Sequence, residues 1–238
     1  ALASAWGWPL VDGALPFAAR AAAADGIAVG TQAWGLLTPA HWSAGRDHVT
    51  LADPAALALD EADSRTLFDA VRTLFDSEGF TLVWGAPLRW YAAHPSLAGL
   101  LCAAPDRVIG RNIDPWLPKT PQQRLLRRLQ SEVQLLLYTH PLNQAREDRG
   151  ALAVNSFWLS DCGVYVPQTG PDIDVLYSLR APLLANDWAT WAESWHTLDA
   201  GPIAELAKRC AAGDGVTLTL CGERHAQSFE SQPRSVWR

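Results

Sequence analysis

Between residues 121 and 140, apolar side chains recur at Leu125, Leu129, Val133 and Leu136, while Arg124, Arg127 and Arg128 fall largely off that line. Steps of 3 and 4 residues place the four on one stripe of an α-helix, and such a stripe needs an apolar surface to cover it. A second helical rhythm runs from about 55 to 76 through Leu57, Leu59, Ala62, Leu67, Val71 and Leu74, with Gly79 as its stop. Shorter helices are predicted over Phe17–Ala24, Asp187–Leu198 and Ile203–Ala212. Phe80–Trp84 and Leu88–Tyr91 flank Gly85-Ala86-Pro87 and read as a hairpin, and Ala153–Ser160 and Val216–Cys221 read as strands. Helices and strands thus alternate along the chain. That order predicts a three-layer α/β fold, a mixed sheet with helices packed on it. No repeat or low-complexity linker divides residues 1–238, so a single domain is expected.

The composition fits a core-rich chain: 49% of residues are hydrophobic and 18% charged, against about 25% charged in an average soluble domain. No apolar run approaches the roughly 20 residues of a bilayer helix, and the chain does not open on a secretion-signal pattern. A cytoplasmic setting is therefore expected, with no membrane partner. The net charge is −6 and no stretch gathers Lys and Arg, which argues against nucleic acid as a partner. Cys102, Cys162, Cys210 and Cys221 form no close pair in sequence, and each sits in or beside an apolar stretch, as buried reduced thiols do. Neither a glycine-rich phosphate loop nor a Gly-x-Ser-x-Gly elbow occurs.

Four segments could carry chemistry. His41, Asp47 and His48, with Arg46 between them, suit a divalent metal or a phosphate, because imidazole and carboxylate ligate such ions and guanidinium pairs with anions. The bland alternative is a polar loop whose histidines bond to backbone. Around Val108-Ile109, a strand would carry Arg107 and Arg111 to its ends for an anionic ligand, unless the two only neutralise Asp106 and Asp114. Glu132 and His140 fall near the apolar stripe of the long helix, where a polar group needs a partner. Cys221, Gly222, Glu223, Arg224 and His225 follow the last strand, at the end where open α/β sheets collect ligands. The twelve tryptophans are scattered along the chain and read mainly as core.

Leu137-Tyr138-Thr139-His140-Pro141-Leu142-Asn143-Gln144-Ala145-Arg146, then Arg149-Gly150 and Val154-Asn155-Ser156-Phe157-Trp158-Leu159, resembles a segment of archaeal-type cofactor-independent phosphoglycerate mutases, with their His-Pro-x-Asn-x-x-Arg stretch and following Asn-x-x-Trp strand. A wider set, Trp34-Gly35-Leu36-Leu37-Thr38-Pro39, His41-Trp42, Asp47-His48-Val49-Thr50, Asp114-Pro115-Trp116 and Leu220-Cys221-Gly222-Glu223, is similar to the proteobacterial RpfE-type regulatory proteins, often labelled phosphoglycerate mutase. The first likeness covers about 25 residues and the second nearly the whole chain. Together they imply a reduced alkaline-phosphatase-like fold, a further amino-terminal segment ahead of residue 1, and a surface for a small phosphorylated or carboxylated metabolite. On that reading His140, Asn143, Arg146, Arg149 and Asn155 hold the anion, with Arg111 contributing; alternatively Asn143 and Asn155 only cap and turn the backbone. The mutases hold two metal ions on an Asp-Gly near the start and on later clusters that include Asp-His-Gly. Here Asp12-Gly13 follows Pro9-Leu10-Val11, and Asp-His occurs only as Asp47-His48 before Val49. His41, Asp47 and His48 therefore stand as the metal and catalytic candidates, and turnover is left open. A non-catalytic regulatory protein acting through protein contacts is the other reading.

Overall fold

A computed structural model of the chain describes residues 1–117, 119–120, 123–222 and 225–231. In chain order the helices are α1 (Leu2–Ala5), α2 (Phe17–Ala24), α3 (Glu61–Asp76), α4 (Arg124–Tyr138), α5 (Pro141–Asp148), α6 (Arg180–Leu184), α7 (Trp188–Leu198) and α8 (Ala204–Ala212). The strands are β1 (Ala33–Ala40), β2 (Trp42–Ala44), β3 (Val49–Leu51), β4 (Thr81–Ala86), β5 (Arg89–Ala93), β6 (Ser156–Val164), β7 (Thr217–Cys221) and β8 (Ala226–Glu230). Where the sequence suggests one domain, the contacts divide the chain into two compact units, Trp8–Thr169 and a smaller one made of Ala1–Gly7 with Gly170–Arg238.

The larger unit is built on a four-stranded sheet in the order β4-β5-β1-β6, antiparallel at every pairing. Among the described residues the parallel pairing is an isolated bridge between Leu51, at the end of β3, and Ile109. Successive strand residues point to opposite faces, and the core separates accordingly. Trp90, Ala92, Leu37 and Phe157 pack with Leu67, Val71 and Phe75 of α3 and Leu129 and Val133 of α4. Trp34, Tyr91 and Ala93 meet Ala18, Ala19 and Ala22 of α2 on the other side. Helix, sheet and helices make the three expected layers. The small alanine face of α2 is what packs on the sheet there.

Local signals explain most boundaries. Asp60 caps α3, its carboxylate accepting from the Asp63 amide at 2.8 Å. The rhythm read from 55 to 76 is interrupted at Ala58, whose φ of 43° ends a 3-10 turn over Pro54–Leu57. In α4 the buried stripe is Leu126, Leu129, Val133 and Leu137, while Leu125 and Leu136 flank it half-buried; the start read at Pro121 lies outside the described residues. Pro141, which stops α4, also opens α5 as its first residue, a position that needs no amide donor.

In the smaller unit, Asp187 caps α7 by accepting from the Thr190 amide and hydroxyl, which holds its carboxyl below the usual range. Trp188, Trp191 and Trp195 stack edge to face along that helix. Strands β7 and β8 form an antiparallel hairpin. The rule about carboxyl ends of parallel strands therefore has no purchase at Cys221, which is exposed; Glu223 and Arg224 lie outside the described residues. No helix among the described residues is long and apolar enough to cross a membrane.

Candidate functional site

The segment from α4 to β6 gathers the residues singled out by the mutase-like stretch. His140 caps α5, its Nδ1 accepting from the Leu142 amide at 3.2 Å. Asn143 is buried, and its Nδ2 donates to the carbonyls of Leu137 and Val154, both at 2.8 Å. Its Oδ1 accepts from the Val154 amide at 2.9 Å. One side chain thus ties the end of α4 to the chain entering β6. Asn155 does the same for the neighbouring hairpin, accepting from the Trp42 amide at 2.8 Å and donating to the Trp42 carbonyl at 3.0 Å.

Arg146 is 1% exposed. Its Nε donates to the Leu152 carbonyl at 2.9 Å, its Nη1 to Asp63 at 3.2 Å, and its Nη2 to the Leu57 carbonyl. A buried guanidinium requires such partners, and here they come from three separate stretches of chain. Arg149 bonds the same Asp63 oxygen at 2.8 Å but keeps 53% of its side chain exposed. Nothing in the sequence marks Asp63 as their partner, because an acidic residue in a first helical turn is common. Arg111 is exposed.

His41, Asp47 and His48 do not assemble a metal-holding set. Among the described residues no three His, Cys, Asp or Glu side chains group closely enough for one. His41 Nδ1 lies 2.8 Å from the Ala153 carbonyl; a carbonyl only accepts, so that nitrogen carries the proton. Asp47 and His48 are exposed in the turn between β2 and β3. The segment around Val108 is a 3-10 turn over Pro105–Arg107 followed by bridges, not a strand; two prolines, Pro105 and Pro115, bracket it and break a ladder. Arg107 pairs with Asp12 at 3.3 Å. Glu132 sits beside the apolar stripe, 39% exposed, 3.6 Å from Arg128.

Three arrangements escaped the sequence reading. Trp42, Ala44 and Val49 of the β2–β3 hairpin, Asn155, and Gln134 and Tyr138 of α4 line an open groove. Tyr138 is 85% exposed there, and Leu135, one turn away on α4, is 73% exposed. Asp161 stands in left-handed backbone at φ 59°, within a bulge of β6 opposite Gly35. Burial raises its carboxyl pKa, the 2.6 Å hydrogen bond from Ser160 only partly offsetting this. Finally, Cys102 and Cys162 meet at 3.5 Å.

No family model matches the chain, and neither does any curated protein. Among solved structures it is similar to the cofactor-independent phosphoglycerate mutase from Thermoplasma acidophilum, at 19% identity and a TM-score of 0.47, over 71% of this chain and 46% of that one. The chain thus spans less than half the length of that enzyme.

Proposed function

We propose that this chain is a phosphoglycerate-mutase-like protein of the RpfE type that works by binding a protein partner, with its mutase-like stretch serving as framework. The carrying observation is the fate of Asn143 and Arg146. Both are buried, and their polar atoms are taken by the backbone carbonyls of Leu57, Leu137, Leu152 and Val154, the Val154 amide and Asp63. A metabolite phosphate would have to displace those bonds and leave the carbonyls unpaired, at roughly 1–3 kcal/mol each.

The surface offered instead is the groove between the β2–β3 hairpin and α4. Its aromatic rims, Trp42 and Tyr138, suit side chains from another protein, since tyrosine and tryptophan contribute large contact areas at low entropic cost. A small phosphorylated or carboxylated metabolite is the second reading; it is favoured by the half-exposed Arg149, the one cation of the stretch left facing solvent.

A photo-crosslinking residue at position 138 tests the first reading in cells, with one at the exposed Asp69 of α3 as control. A discrete adduct at 138, absent at 69 and lost on Val49→Asp, is the expected result. Equal labelling at both positions would remove the groove from consideration.

A further inference from the structure

We propose that Cys102 and Cys162 are a redox-responsive pair that closes reversibly into an intramolecular disulfide. The two are separated by 60 residues, yet their sulfurs lie 3.5 Å apart. A disulfide is about 2.05 Å long, so the sulfurs need to approach by only about 1.5 Å.

The fold builds this meeting point. Trp34 pairs with Gly163 and Leu36 with Ser160, so Gly35 alone faces Asp161 and Cys162 across a bulge. Bulges re-aim side chains, and here the missing Cβ of Gly35 leaves the thiol its room: a Cβ at that position would stand 3.0 Å from Cys162 Sγ. Cys162 is 0% exposed. Cys102 is half-buried, lines a small cavity with Leu100, Phe157 and Trp158, and is fixed by its amide donating to the Gly13 carbonyl at 2.8 Å. Cys102 is therefore the more accessible residue of the two, and the buried Cys162 sulfur lies within 3.5 Å of its own.

The co-reactant is a low-molecular-weight disulfide, RSSR. The Cys102 thiolate attacks one of its sulfurs and expels RS⁻, leaving a mixed disulfide on Cys102. The Cys162 thiolate then attacks the Cys102 sulfur and expels the second RS⁻. Two thiols are oxidised to one disulfide, RSSR is reduced to two RSH, and the two protons released by the cysteines go to the two RS⁻. The hydrogen bond with Cys102, and then burial, hold the Cys162 thiol well above its ordinary pKa.

The test uses the full chain carrying Cys210→Ser and Cys221→Ser, which removes the two exposed thiols. Native protein is incubated with oxidised glutathione and mapped by mass spectrometry without reduction. The expected product is a chain lighter by two hydrogens with a Cys102–Cys162 linked peptide, a melting temperature several degrees higher, and full reversal by dithiothreitol. Adding Cys162→Ser should trap a lasting glutathione adduct on Cys102, and adding Cys102→Ser should leave Cys162 unmodified. A stable adduct on Cys102 beside a free Cys162 in the parent, or a link formed only after urea unfolding, would overturn the proposal.

Discussion

Arg146 reaches Asp63 across 83 residues of sequence, at 3.2 Å, and Arg149 shares the same carboxylate oxygen at 2.8 Å. The two arginines differ in surroundings: the first has 1% of its side chain exposed and the second 53%. Removing a buried member of an ion pair leaves unpaired polar groups and costs about 3–5 kcal/mol, whereas an exposed pair contributes about 0–1 kcal/mol. Arg146→Ala should therefore destabilise the larger unit severely, and Arg149→Ala hardly at all. Urea unfolding of both variants measures this, and equal losses would mean that the burial does not govern the pair.

Asn143 makes the same point for a neutral side chain. Asn143→Ala should cost roughly 1–3 kcal/mol for each backbone group left unpaired, and the amide of Val154 should lose its protection against hydrogen exchange. If Val154 stays as protected as in the parent, the Asn143 Oδ1 bond is not what shields it.

Asp161 predicts a pH dependence of a particular sign. Its folded carboxyl pKa lies above the ordinary carboxylate value, so the native state binds its proton more tightly than the unfolded chain does. Stability from this group is present below the unfolded pKa and is lost as pH rises through the folded one. Asp161→Asn keeps an acceptor for Ser160 and tolerates left-handed backbone, so it should stabilise the protein at neutral pH. The gain should fade as pH falls into the acid range. Melting temperatures of both proteins from pH 3 to pH 8 check it; a constant offset would contradict the burial account.

Much of this architecture is legible in residue order, and the exceptions have physical causes. The periodicity of α3 and α4 and the β4–β5 hairpin mark themselves, because each is a local pattern, although the turn falls at Pro87-Leu88 where the sequence suggests Gly85-Ala86-Pro87. Strand β1 does not, since Gly35 and Pro39 are unusual in a strand with partners on both sides. Strand β6 runs on to Val164, past the end predicted at Ser160, because the chain continues through the bulge at Asp161-Cys162-Gly163. Helix α5 was hidden because Pro141 signals a stop as well as a start. For the candidate site, the mutase-like resemblance pointed to Asn143 and Arg146 as holders of an anion, with backbone capping as the alternative for Asn143; in the fold both are bonded to the protein itself. Only the fold reveals that those partners are Leu57, Asp63, Leu137, Leu152 and Val154, up to 89 residues away, since long-range pairing leaves no trace in local spacing.

On the proposed reading, the mutase-like stretch serves as framework and not as an anion site. Thermal unfolding of the full chain with 3-phosphoglycerate, alone and with manganese or zinc, tests it most directly. A ligand that prefers the folded state adds about 2.7 kcal/mol at one hundred times its dissociation constant, which for a chain of this size raises the melting temperature by several degrees. No rise is expected with the phosphate ester, with or without metal. A rise with 3-phosphoglycerate that is enlarged by metal and abolished by Arg149→Ala would contradict it and return the stretch to ligand binding.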